Sequence, residues 1–74
     1  MSVEKLVYQA NQIATFFETQ PGDDPAAGVA SHINKFWEPR MRGQLAKILA
    51  SDDSALNPLV IRAASQIHFP EAAH

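Results

Sequence analysis

Seventy-four residues without a cysteine make one domain, near the size at which a single core barely sustains itself, and exclude disulfides, thiolate zinc sites and cysteine-ligated iron–sulfur clusters. An apolar fraction of 46% is ample for a core and argues against disorder. A net charge of −2 gives no general pull toward nucleic acid or anionic lipid; with no membrane-length apolar run and no charged-then-apolar leader, the expected compartment is the cytoplasm.

Ser2 is placed to cap a first helix, with Glu4 in its first turn against the helix dipole. Leu6, Ala10, Ile13 and Phe17 recur at helical spacing, flanked by Val3, Val7 and Ala14, which predicts an amphipathic helix over about 3–19. Tyr8 and Phe16 miss that stripe. At about 100° per residue, Tyr8 falls nearly opposite it and Phe16 well to one side. Either they are isolated exposed aromatics or part of a wide core face, or they form a second contact surface.

Gln20-Pro21-Gly22-Asp23-Asp24-Pro25 is a connection by its own chemistry, rich in proline, glycine and Asx residues. Asp24 then caps a second helix that opens on Pro25 and runs to about Trp37. Ala26, Val29, Ile33 and Phe36 form its apolar stripe, widened by Ala30 and Trp37. Gly28 inside that pattern marks a close helix approach, since a mid-helix glycine costs about 0.5–1 kcal/mol against alanine.

Glu38 precedes a proline and is pushed out of the α region, whereas Pro39 suits a first helical position. A third helix is therefore expected over 39–51, carrying Met41, Leu45, Ile48 and Leu49. After the polar break Ser51-Asp52-Asp53-Ser54, Asn57-Pro58 repeats the cap-then-proline device and opens a fourth helix over about 58–68. The tail after Phe69-Pro70 has little to hold it and is expected to be disordered over 70–74. The fold class predicted is all-α, a small bundle of three to four short helices over 1–74. Leu6, Ile13, Phe17, Val29, Ile33, Phe36, Leu45, Ile48 and Val60 are its expected interior.

The catalytic inventory is thin. His32, His68 and His74 lack the spacing of a helical metal pair, and the isolated glycines form no phosphate loop. His32 is expected to be a partly buried imidazole with a polar partner. The adjacent carboxylates Asp23-Asp24 and Asp52-Asp53 sit in loops, where such pairs mostly cap helices. No catalytic, cofactor-binding or metal residue is assigned.

Four of the six basic residues, Lys35, Arg40, Arg42 and Lys47, cluster around the corner at Trp37-Glu38-Pro39. Arg40 and Arg42 project to different sides of the third helix and oppose its dipole, so they are read as interface or tertiary ion-pair donors. An indole at such a corner fills the centre of a core or of an interface. The candidate partner-binding residues are Trp37, Arg40, Arg42 and Met41, with Tyr8 and Phe16 behind them.

Lys5-Leu6-Val7, Ala10-Asn11-Gln12-Ile13-Ala14, Phe16-Phe17, Ala27-Gly28-Val29-Ala30, His32-Ile33, Phe36-Trp37, Pro39-Arg40-Met41-Arg42 and Pro58-Leu59-Val60, in this order, closely resemble the delta subunit of bacterial NAD-dependent formate dehydrogenase. The resemblance covers roughly residues 4–64. It implies a non-catalytic accessory subunit of a soluble cytoplasmic complex, assisting its assembly or stability. In such complexes the large alpha subunit carries the molybdenum cofactor and iron–sulfur clusters and the other subunits carry flavin and NAD chemistry. The delta chain itself has no assigned cofactor. The expected partner is that alpha subunit with its companions, and a homo-oligomer of the isolated chain is left open. The alternative from charge placement, a small helical DNA-binding regulator using the corner of the second and third helices, is disfavoured by the acidic pI of about 5.8 and by a corner shorter than a helix-turn-helix turn.

Overall fold

The computed structural model describes residues 2–20, 22 and 24–70. Its elements are α1 (Val3–Glu18), α2 (Pro25–Phe36), α3 (Pro39–Ser51) and α4 (Pro58–Ala63), followed by a 3₁₀ turn over Ala64–Gln66. There is no strand among the described residues. Of the tail expected to be disordered over 70–74, residues 71–74 lie outside them, as does the carboxylate of Asp23.

Side chains begin three of the helices as their residue types dictate. Ser2 Oγ accepts from the Lys5 N–H at 3.2 Å, Asp24 Oδ1 from the Ala27 N–H at 3.2 Å, and Asn57 Oδ1 from the Leu59 N–H at 2.8 Å. Proline follows the cap in α2, α3 and α4, where its missing N–H is no loss. Glu38, before α3, makes no side-chain cap. The predicted reach of the fourth helix to 68 is corrected: α4 ends at Ala63, and Ile67 is already extended at ψ 135°. The ladder tightens to i→i−3 bonds from Ala64 onward, and beyond that turn the His68 N–H donates to Asn34 Oδ1 of α2.

α2 lies at the centre, packed chiefly on α4 and α1, with α3 against α1. The core combines Leu6, Ala10 and Ala14 of α1 with Val29, Ala30 and Ile33 of α2, Leu45 and Ile48 of α3, and Leu59, Val60 and Ala63 of α4. Ala26 of α2 and, from the connecting segments, Trp37, Leu56 and Ile67 complete it. Alanines at so many of these contacts let the helix axes approach closely, and large side chains from the neighbouring helix fill the gaps. Ile13 and Phe17, expected inside, are half-buried at the edge of the core.

Phe36 is the one misplaced core residue: it is 70% exposed, and Trp37 occupies the interior in its stead. Ala26, Val29, Ala30, Ile33 and Trp37 form the stripe that points at the core. Phe36 sits about 75° off its centre, toward α1. Trp37 adopts extended backbone at φ −89°, ψ 135° while its N–H still bonds the Ile33 carbonyl. The chain thus leaves the helix with the indole turned back under it. The reading of Gly28 as a close approach holds: a Cβ there would lie 2.6 Å from Cδ1 of Phe17.

Candidate partner interface

The corner between α2 and α3 divides the predicted interface residues into two groups. Trp37 is 6% exposed and is part of the core. Met41 is half-buried against that core. Arg42 is also drawn inward: its Nη1 donates to the His68 carbonyl at 2.5 Å, and its Nε is enclosed without a hydrogen-bond partner. Its role is therefore tertiary, through a backbone carbonyl. Arg40, one position from Pro39, stays exposed.

Arg42 is one of three polar side chains that reach across the fold to the same segment. Asn11 of α1 holds its start: Oδ1 accepts from the Asn57 N–H at 2.7 Å, and Nδ2 donates to the Ala55 carbonyl at 3.0 Å. Asn34 of α2 holds its end in the same two-handed way, accepting from the His68 N–H at 2.8 Å and donating to the Gln66 carbonyl at 3.1 Å. Each amide satisfies one donor and one acceptor that no helix serves. α4 with its flanks is thus tied to α1, α2 and α3 by side chains bonded to its backbone. Neither helical periodicity nor capping pattern marks these latches in the sequence. The available signal was asparagine in a helix interior, where its side chain competes with the helix unless bound elsewhere.

The remaining candidates, Tyr8 and Phe16, are 63% and 56% exposed. They do not form one surface, being about 80° apart around α1 and two turns apart along it. Phe16 instead begins a different assembly. Its ring meets Phe17 edge-on at 5.2 Å between centroids, Phe17 lies 6.3 Å from the His32 ring, and His32 lies 4.8 Å from Phe36. Four rings from two helices thus make one continuous strip. A shallow groove of about 300 Å³ runs beside them, lined by Gln12, Ile13, Phe16, Phe17 and His32. The expected polar partner of His32 is replaced by two phenyl neighbours.

The loop carboxylates act on the backbone. Asp24 caps α2, and exposed Asp52 accepts from both the hydroxyl and the N–H of Ser54, at 2.7 and 3.1 Å. These bonds favour the ionised form and hold the Asp52 carboxyl below the ordinary carboxylate range, the hydroxyl contributing most. Among the described residues no group of three metal-ligating side chains converges, and no helix is long and apolar enough to cross a membrane.

The family model of the NADH-dependent formate dehydrogenase delta subunit, FdsD, matches residues 5–64. The chain belongs to that family. No curated protein matches it.

Proposed function

From membership in the delta-subunit family, we propose that this chain is a non-catalytic accessory subunit of a cytoplasmic NAD-dependent formate dehydrogenase complex. It assists assembly or stability of the subunits that oxidise formate to carbon dioxide, the large molybdenum and iron–sulfur alpha subunit among them. The family match over residues 5–64 carries the reading. One structural feature supports it. The outer face keeps large aromatic rings in water, as expected of a subunit that joins a larger assembly.

The test has two parts. Deleting the chain in its host should lower the yield of assembled, active formate dehydrogenase, and supplying it in trans should restore that yield. The purified chain alone should show no formate oxidation and carry no stoichiometric metal or flavin. Undiminished assembly in the deletion, or one tightly bound ion per purified chain, would sink the reading.

A further inference from the structure

We infer that the strip of Phe16, Phe17, His32 and Phe36 is the surface through which this chain docks on its catalytic partner, and that its occupant is an amphipathic helix carrying apolar anchors and a carboxylate at one end. This rests on the accessory-subunit reading and adds where contact is made and what chemistry the partner presents.

Folding does not explain the two outer rings. Phe16 and Phe36 are 56% and 70% exposed, and neither belongs to the core cluster. Two phenyl groups joined through Phe17 and His32 into one stretch differ from scattered surface hydrophobes. Aromatic rings bring large contact area with little rotamer entropy to lose, which suits them to anchor an interface. The groove between α1 and α2 supplies a trough for anchors spaced three and four apart on a partner helix.

Charge selects the occupant. α2 carries a single charged side chain, Lys35, and no carboxylate. On α1, Lys5 lies about 20° from Phe16 around the helix, whereas Glu4 and Glu18 lie about 120° and 160° away. Lys5 is in the first turn of α1 and Lys35 in the last turn of α2, about 60° around that helix from His32, so both flank the end of the strip far from the α1–α2 connection. Glu38 stands past the corner, as the residue before α3. The strip therefore runs from the Asp24 cap beside Phe16 and Phe17, through an apolar middle, to an end with two lysines, and an acidic end on the partner helix complements that end.

The experiment co-expresses the full chain with the catalytic subunits and measures their copurification, with circular dichroism of each purified variant alongside. Wild-type capture tests the accessory-subunit reading, and variant capture tests the strip. Phe16→Ser with Phe36→Ser should keep the helical signal and weaken capture by roughly tenfold or more. Lys5→Glu with Lys35→Glu should weaken capture and abolish its decline with added salt. Ile61→Ser, at an exposed position of α4, should bind as wild type. Should the phenylalanine pair fail to fold, Phe36→Ser alone, at the most exposed ring, decides the same question. Normal capture by the folded variants overturns the strip alone, as does a self-association that these variants abolish while capture persists. Absence of wild-type capture overturns the accessory-subunit reading and the assigned occupant together.

Discussion

The phenyl ring of Phe17 occupies the space that a Cβ at position 28 would fill: an added methyl would lie 2.6 Å from Cδ1 and 2.8 Å from Cε1. Gly28 is thus the point where α1 lays a ring on the backbone of α2, and its missing side chain is the reason it fits. Gly28→Ala should gain helix propensity worth about 0.5–1 kcal/mol. It also displaces a half-buried ring from its contacts with Phe16 and His32, so the net effect should be a loss of about 1 kcal/mol. In a Phe17→Ala background the obstruction is gone, and the same substitution should stabilise by about 0.5–1 kcal/mol. Thermal unfolding of the four chains of this cycle reads the coupling. Equal effects of Gly28→Ala in both backgrounds would show that the ring is not the obstacle.

The two asparagine latches should differ in strength. Asn11 serves a part-buried N–H at Asn57, whereas the groups held by Asn34 are exposed and find water when released. Asn11→Ala should cost about 1–3 kcal/mol, the range for stranding a buried donor, and Asn34→Ala about 0.5–1.5 kcal/mol. Amide exchange would locate the damage: the Asn57 N–H should lose protection in the first variant and the His68 N–H in the second. An Asn34→Ala chain less stable than Asn11→Ala would contradict this ordering.

Local signals made most of the fold legible. Ser2, Asp24-Pro25, Pro39 and Asn57-Pro58 mark helix starts by chemistry confined to a few residues, and the structure begins its helices there. What sequence could not show depends on residues far away along the chain. Asn11 finds its partner 44 positions on at Ala55, and Asn34 captures an N–H at His68 that periodicity alone assigned to the fourth helix. Phe36 and Trp37 illustrate the same limit. Both are large and adjacent at a helix end, and only the direction in which the chain leaves α2 decides which one is buried. The candidate interface inherited that ambiguity, since its leading residue belongs to the core.

The Asp52 carboxyl gives a pH-dependent test of the α3–α4 connection. Its folded pKa lies below the ordinary value, so its contribution to stability is complete above the usual carboxylate range. That contribution fades as the pH falls through this range toward the folded value. By NMR, Asp52 should titrate at lower pH in the native chain than in the denatured one. Ser54→Ala should move the native midpoint upward but not fully, because the N–H of residue 54 still donates. A midpoint unmoved by Ser54→Ala would assign the shift to another cause.

The corner between α2 and α3 should respond to mutation in three distinct degrees. Trp37 fills the core, and Trp37→Ala should cost about 3–5 kcal/mol, enough to leave a chain this small largely unfolded at room temperature. Arg42 is tied to the His68 carbonyl with its Nε enclosed. Arg42→Glu withdraws that donor and sets a carboxylate facing a carbonyl oxygen, which should cost about 1–3 kcal/mol and loosen the segment after α4. Arg40 is exposed at the second position of α3, where a cation opposes the helix dipole. Arg40→Glu replaces it with a charge the dipole favours and should be neutral or stabilising by about 0.3–1 kcal/mol at low salt, the gain shrinking as salt is added. Urea denaturation followed by helical circular dichroism ranks all three on one scale. If Arg42→Glu unfolds at the wild-type midpoint, its contact with the His68 carbonyl does not stabilise the fold.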